Sequence, residues 1–193
     1  MNNYFEVGLD EVGKGSIFGP VFSGVVILSR ENGLRLKRFG LDDSKKLSSK
    51  KREILMPKIL SFAKDWGVGQ SSVREIEKYG IRYATELSMI RAIDKLESRP
   101  SEIIIDGNLP LRLWDGTQRN VVRGESKYPS IAAASIIAKL SRDSLMNRLS
   151  HQFKVYDLSN NKGYGTKKHF SNLEKYGLTN LHRKNFLKNL KVI

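Results

Sequence analysis

Cysteine is absent from this 193-residue chain, which excludes disulfides, thiolate nucleophiles and cysteine-based zinc sites. Histidine is scarce: His151, His169 and His182 are too widely spaced for a zinc cluster. There is no N-terminal apolar run of signal-peptide length, and nothing approaches a membrane span. A soluble, cytoplasmic protein without a membrane partner is expected. Acidic residues are in deficit, 20 against 34 Lys and Arg, giving a formal charge of +14. That excess points to an anionic partner, most simply a nucleic acid, without choosing among DNA, RNA and a hybrid. Residues 151–193 carry about half of the net charge, with nine basic residues against two acidic ones. Basicity alone would suit a structural RNA- or ribosome-binding protein equally well.

The length suits one domain with a small appendage. Apolar, β-prone runs predict strands at 4–10, 21–29 and 101–106, with shorter ones at 66–72 and 119–123. Ser48 is suited to cap a helix that begins KKREILMPKIL, in which Pro57 should mark a kink or a boundary. Helices are expected at 72–79 and 81–97. The strongest helix signal is PSIAAASIIAKLSRDSLMNRL, from 129 to about 149, whose small residues would let it approach a sheet closely. Strands first and helices later, with a βαβ-like passage between, predict an α/β fold: a mixed β-sheet flanked by helices. Residues 1–150 are expected to form the main domain and 151–193 a C-terminal helical extension.

Chemistry concentrates where strands end. In GLDEVGKGSIFGP an Asp10–Glu11 pair meets a glycine-rich turn, and IIIDG delivers Asp106 to a similar position. An isolated Asp–Glu pair reads most simply as a solvated turn. If the two strands are neighbours, however, their ends present both carboxylates together, and Glu125 in VVRGESKYP can return to the same edge. Converging carboxylates are costly unless a cation compensates them, and Mg²⁺ or Mn²⁺ prefers such oxygens. Consecutive strand residues point to opposite faces, so Asp10 and Glu11 share a site only if the strand ends or twists there.

The segments GLDEVGKGSIFGPV, LDDSKKLS, IIIDG, VVRGESKYPSIAAASIIAKLSRD, NKGYGTKKH and NLHRKNF occur in one order over nearly the whole chain. In them the chain resembles the type 2 ribonucleases H, the ribonuclease HII family. The resemblance implies a ribonuclease H-like sheet with a small C-terminal helical part. It also implies a divalent-metal-dependent endonuclease acting on RNA/DNA hybrids and on ribonucleotides embedded in duplex DNA. Cleavage is expected 5′ to the ribonucleotide, leaving 3′-hydroxyl and 5′-phosphate ends, in primer removal and ribonucleotide excision. The family's metal-site acids fall on Asp10, Glu11, Asp106 and Glu125, which would hold two Mg²⁺ or Mn²⁺ ions about 4 Å apart. Glu125 departs from the Asp usual there and matches what type 3 enzymes tend to use. KGYGT, and the lack of room for a type 3 N-terminal domain, favour type 2.

The resemblance further implies that Gly13, Lys14 and Gly15 sense the ribose 2′-hydroxyl through their backbone, which glycines leave open. Tyr164 would place its ring at the RNA–DNA junction. Lys45 and Lys46 are suited to phosphate contact near the cut. Lys167 and Arg183, with Lys127, Lys168 and Lys184, are candidates for contact with the nucleic-acid backbone. Asp143 is either a further ligand or a partner of Arg142 or Arg148, and Asp42 and Asp43 shape their loop. His169 and His182 are read as structural and not as general bases. No long coiled-coil stripe calls for assembly, so a monomer is expected.

Overall fold

The computed structural model describes residues 5–188. Phe5–Val12 (β1) and Val21–Ser29 (β2) pair antiparallel, from Phe5 opposite Ser29 to Val12 opposite Phe22. Asp65–Ser71 (β3) runs antiparallel to β2 on its other side. Glu102–Asp106 (β4) lies parallel to β1, and Thr117–Val121 (β5) lies parallel to β4. Among the described residues these form one mixed sheet in the order β3-β2-β1-β4-β5. The helices are Arg30–Arg38 (α1), Ser49–Phe62 (α2), Val73–Ile93 (α3), Gly124–Lys127 (α4), Pro129–Gln152 (α5), Leu158–Asn161 (α6), Lys167–Tyr176 (α7) and Lys184–Leu187 (α8).

Strand alternation sorts the side chains into two layers. Leu9, Val25 and Ile105 turn toward α3 and pack with Met89, Ala92 and Ile93. On the other face, Val26 and Leu28 pack with α1, α2 and the alanines of α5. The small residues at the start of α5 matter because the approach is backbone to backbone. A Cβ on Gly8 would lie 2.3 Å from the Ile131 nitrogen, and one on Gly24 would lie 2.3 Å from the Ala134 carbonyl oxygen. Any side chain at either position would lift α5 off the sheet. A third cluster joins Ile17, Phe18 and Met146 to Tyr156, Leu158, Leu173 and Leu187. It seals the C-terminal helices against the link between β1 and β2.

The sheet, its flanking helices and the C-terminal helices match the fold expected from sequence. Several boundaries differ. The first strand was expected from Tyr4, which lies outside the described residues, and β1 runs to Val12, two residues beyond Asp10. The helix α1 has no counterpart in the sequence reading; Ser29 caps it by accepting the Asn32 N–H. Ser48 caps α2 as expected, by accepting the Lys51 N–H, but α2 continues through Pro57. The two helices expected between 72 and 97 meet at Gly80, whose φ of 81° interrupts α3. The boundary expected after residue 150 falls inside α5.

Candidate active site

In the parallel pair, Gly8 stands opposite Ile104 and Leu9 opposite Ile105. Continuing that register sets Asp10 beside Asp106, both on the α5 face. Glu125 arrives from α4, whose entry is set by Arg123 in the left-handed region at φ 57°. One carboxylate oxygen from each of Asp10, Asp106 and Glu125 lies within 4.8 Å of the other two. Burial, followed by the charges of Glu11, Glu125 and Asp106, holds the Asp10 carboxyl well above its usual range; a hydrogen bond from the Ser135 hydroxyl opposes the rise.

Backbone donors fix the group. The Gly124 N–H donates to Asp106 Oδ1 at 2.6 Å, and the Ser44 N–H donates to Glu125 Oε2 at 2.7 Å. The Glu11 N–H donates to Asp10 Oδ1 at 2.8 Å. Lys45 Nζ stands 3.3 Å from Glu125 Oε1, the one cation paired with a member of the trio among the described residues. Burial lowers the affinity of Lys45 for its proton, but the charge and hydrogen bond of Glu125, together with the charges of Asp10 and Asp43, more than offset this and its pKa is raised. Fixed hard-oxygen donors with excess negative charge, one held protonation-prone by its neighbours, fit a divalent cation.

Glu11 is not among the three. β1 neither ends nor turns at Asp10, so Glu11 points to the α3 face, pairs with Lys14 at 3.3 Å and borders a cavity of about 120 Å³ shared with Asp106 and Glu86. Asp143 forms an ion pair with Lys139 at 2.9 Å on its own helix, not with Arg142 or Arg148. Lys46 pairs with Asp42 at 3.5 Å, and Lys168 pairs with Asp157 at 3.2 Å. Lys127, Lys167 and Lys184 are exposed.

The glycine link and the tyrosine segment form one unit. Gly163 O accepts the N–H groups of Ile17 and Phe18, at 3.0 and 3.1 Å. Arg142, wholly buried, donates to Pro20 O, Lys162 O, Phe18 O and Ser16 Oγ. Its guanidinium also lies 5.5 Å from the Tyr164 ring, a cation–π arrangement, and the ring is about one-third exposed. Arg183, expected at the nucleic-acid surface, is instead buried. It donates to Gly19 O at 2.9 Å and Lys14 O at 3.0 Å, and burial, then Arg142, lowers its pKa to about 9. It supports the link from below.

Both predicted structural histidines lie in this support, and their hydrogen bonds fix their tautomers. The Thr179 N–H donates to His182 Nδ1 at 2.9 Å, so the proton of that ring sits on Nε2. His182 Nε2 therefore donates to His169 Nε2 at 3.2 Å, leaving His169 Nδ1 to donate to Tyr164 O at 3.0 Å. Burial, then His169, lowers the His182 pKa to about 4, and burial lowers that of His169.

A family model for ribonuclease HII matches residues 7–189. The chain belongs to the ribonuclease HII family. It is 60% identical over 193 residues to a ribonuclease HII of Prochlorococcus marinus subsp. pastoris, covering all of this chain and 92% of that protein. It is 53% identical over 185 residues to a ribonuclease HII of Prochlorococcus marinus strain NATL1A, covering 96% and 95%. Among solved structures, the RNase HII in a complex with PCNA from Archaeoglobus fulgidus superposes with TM-score 0.80 at 26% identity, over 97% of this chain and 96% of that one. The ribonuclease H2 of Pyrococcus horikoshii OT3 shares the fold with TM-score 0.81 at 24% identity, over 98% and 97%. As a ribonuclease HII, the protein is a metal-dependent endoribonuclease that cleaves RNA in RNA/DNA hybrids, and the acidic trio is a cluster of the kind that can hold a metal ion. No helix among the described residues is long and apolar enough to cross a membrane.

Ser44, Ser135 and Arg142 contact the site's residues or support its loops, yet the sequence reading gave none of them a part in the site. Ser44 was within reach, since it sits at the centre of DDSKKL beside two lysines already singled out. Arg142 carries no such signal, because its partners are Pro20 O, Phe18 O and Ser16 Oγ, all more than a hundred residues away, and Lys162 O, 20 residues on.

Proposed function

We propose that this enzyme cuts on the 5′ side of ribonucleotides embedded in duplex DNA or hybridised to it, leaving 3′-hydroxyl and 5′-phosphate ends. Asp10, Asp106 and Glu125, with Glu11 at the rim, would hold two Mg²⁺ or Mn²⁺ ions. Bound there, such ions supply Lewis acidity at the scissile phosphate and lower the pKa of an attacking water. The chain supplies position. Lys45 beside Glu125, with Lys46 next to it in the loop, would offer positive charge to the phosphate, while the glycine link and Tyr164 read the strand on either side of the cut.

The observation that carries this reading is the fusion of the glycine link with the Tyr164 segment beside the acidic trio. Two backbone hydrogen bonds to Gly163 O and the Arg142 guanidinium tie residues 16–20 to residues 162–164. A ribose probe and an aromatic junction probe thus keep a fixed spacing. Gly15 adds support. A Cβ there would meet nothing within 4 Å, and its φ lies outside the left-handed region, so nothing inside the protein requires glycine. A close approach by the nucleic acid does. Residues 151–193 are the substrate-binding extension on this reading, and the enzyme acts as a monomer.

The test compares all-DNA, single-ribonucleotide and full-hybrid duplexes, each with Mg²⁺, Mn²⁺ or chelator. Wild type should cut both ribonucleotide-containing duplexes with metal and neither with chelator. Tyr164→Ala should depress single-ribonucleotide cleavage more than hybrid cleavage. Equal loss on both substrates would remove the junction role.

A further inference from the structure

The loop between α1 and α2 is wound on its own carboxylates. Asp42 Oδ1 accepts the Asp43 N–H at 2.7 Å, Asp43 Oδ1 accepts the Lys45 N–H at 2.9 Å, and Asp43 O accepts the Lys46 N–H at 3.0 Å. Arg52 on α2 anchors it by donating to Ser44 O at 2.8 Å and Leu47 O at 2.5 Å. The consequence is that Ser44 is turned inward. Its N–H reaches Glu125 Oε2 at 2.7 Å, and its hydroxyl lies 2.8 Å from Ser135 Oγ. Ser44, Ser135, Asp10 and Glu125 are each at most 5% exposed.

The two contacts of Ser44 do different work. Its N–H holds Glu125, which comes from α4, while its hydroxyl is pinned to Ser135 on α5. Helix α5 packs over β1, the strand that carries Asp10. One loop residue therefore ties the position of Glu125 to the helix that lies beside Asp10. The length of Glu125 belongs to the same arrangement, since an Asp would draw its carboxylate back by one methylene from the Ser44 N–H.

We propose that Ser44, pinned by Ser135, is a positioning residue of the metal centre, holding the Glu125 carboxylate in place for a divalent ion. The proposal rests on the metal-dependent reading above. It also joins substrate and metal handling in one loop, because Lys45 and Lys46, the phosphate candidates, follow Ser44 directly. Outer hydrogen-bond partners of metal-binding carboxylates typically matter by about 10–100-fold in affinity.

The experiment is calorimetric titration of Mn²⁺ into substrate-free protein, with thermal melts as a folding control. Ser44→Ala and Ser135→Ala should each weaken Mn²⁺ binding about tenfold. Because either change breaks the same chain, the double variant should bind no more weakly than the weaker single one. Unchanged affinity in the single variants, or independent losses that multiply to about a hundredfold in the double variant, would overturn the proposal. Should the loop variant fail to fold, Ser135→Ala carries the test alone, and wild-type affinity in it has the same force. Wild type that binds no Mn²⁺ removes the metal reading itself. That outcome is distinct from variants that bind as tightly as wild type, which remove only the role of Ser44.

Discussion

At Gly13 the backbone takes φ +86°, and a Cβ would lie 2.2 Å from Arg142 Nε; at Gly15 a Cβ would meet nothing within 4 Å. The two glycines flank Lys14 alike in the sequence but answer to different demands, one internal and one external. Gly13→Ala should therefore cost more than about 1 kcal/mol of stability, since both its dihedral and its space are incompatible with a side chain. Gly15→Ala should melt within about 0.5 kcal/mol of wild type, yet cleave single-ribonucleotide duplexes more slowly. Thermal melts beside single-turnover cleavage check both, and a Gly15→Ala protein with wild-type rates would remove the close-approach argument. At this scale the acids were the most legible part of the chain. Asp10 and Asp106 could be paired from sequence because a parallel neighbour with matching strand ends brings them together. Glu11 was harder: whether the strand stops at Asp10 depends on pairing with β2, which continues to Val12 and turns Glu11 to the other face.

The C-terminal helices dock through buried polar groups as well as apolar ones. His182 is held neutral between Thr179 and His169, with a pKa of about 4 against an ordinary 6.5. Below pH 6.5 the unfolded chain takes up a proton at this residue that the folded protein refuses until about pH 4. Stability from this group is therefore complete above pH 6.5, falls as the pH drops from there to about 4, and changes no further below. The loss approaches roughly 3 kcal/mol. Melting curves between pH 7 and 4.5 should show the decline, and His182→Gln, which cannot take up that proton, should flatten it. Equal slopes in both proteins would contradict the assignment. Elements with strong periodic or capping signals were readable in advance, namely β2, β4, the start of α2 and α5. The helix α1 was not, because nine mostly charged residues with a glycine inside give little apolar stripe. Its stability comes from the Ser29 cap and from packing of Leu36. Pro57 does not form the boundary that was one of its two expected roles, since α2 runs on to Phe62, with Leu55 and Ile59 buried on either side of the proline.

For the whole molecule, a charge of +14 sets how binding responds to salt. Affinity for a hybrid duplex should fall linearly on a log–log plot against salt concentration. Lys167→Ala, at an exposed position, should reduce that slope by about one, whereas Arg183→Gln, in protein that thermal melts show to be folded, should leave the slope unchanged, because the Arg183 guanidinium is buried and donates to Gly19 O and Lys14 O. Filter binding across a salt series measures this, and a slope change for Arg183→Gln equal to that for Lys167→Ala would refute the buried assignment. Charge and motif order made the partner class and the architecture legible. The burial of Arg183 and Arg142 was not, since both depend on backbone carbonyls supplied by a link that the C-terminal segment packs against only in three dimensions.

The central claim is that Asp10, Asp106 and Glu125 form a divalent-cation site. Anomalous diffraction from Mn²⁺-soaked crystals tests it most directly. A peak within coordination distance of all three carboxylates, lost in Asp106→Asn crystals, is the expected result. Ordered, saturated wild-type crystals with no peak among these side chains, or an undiminished peak in the variant, would contradict it.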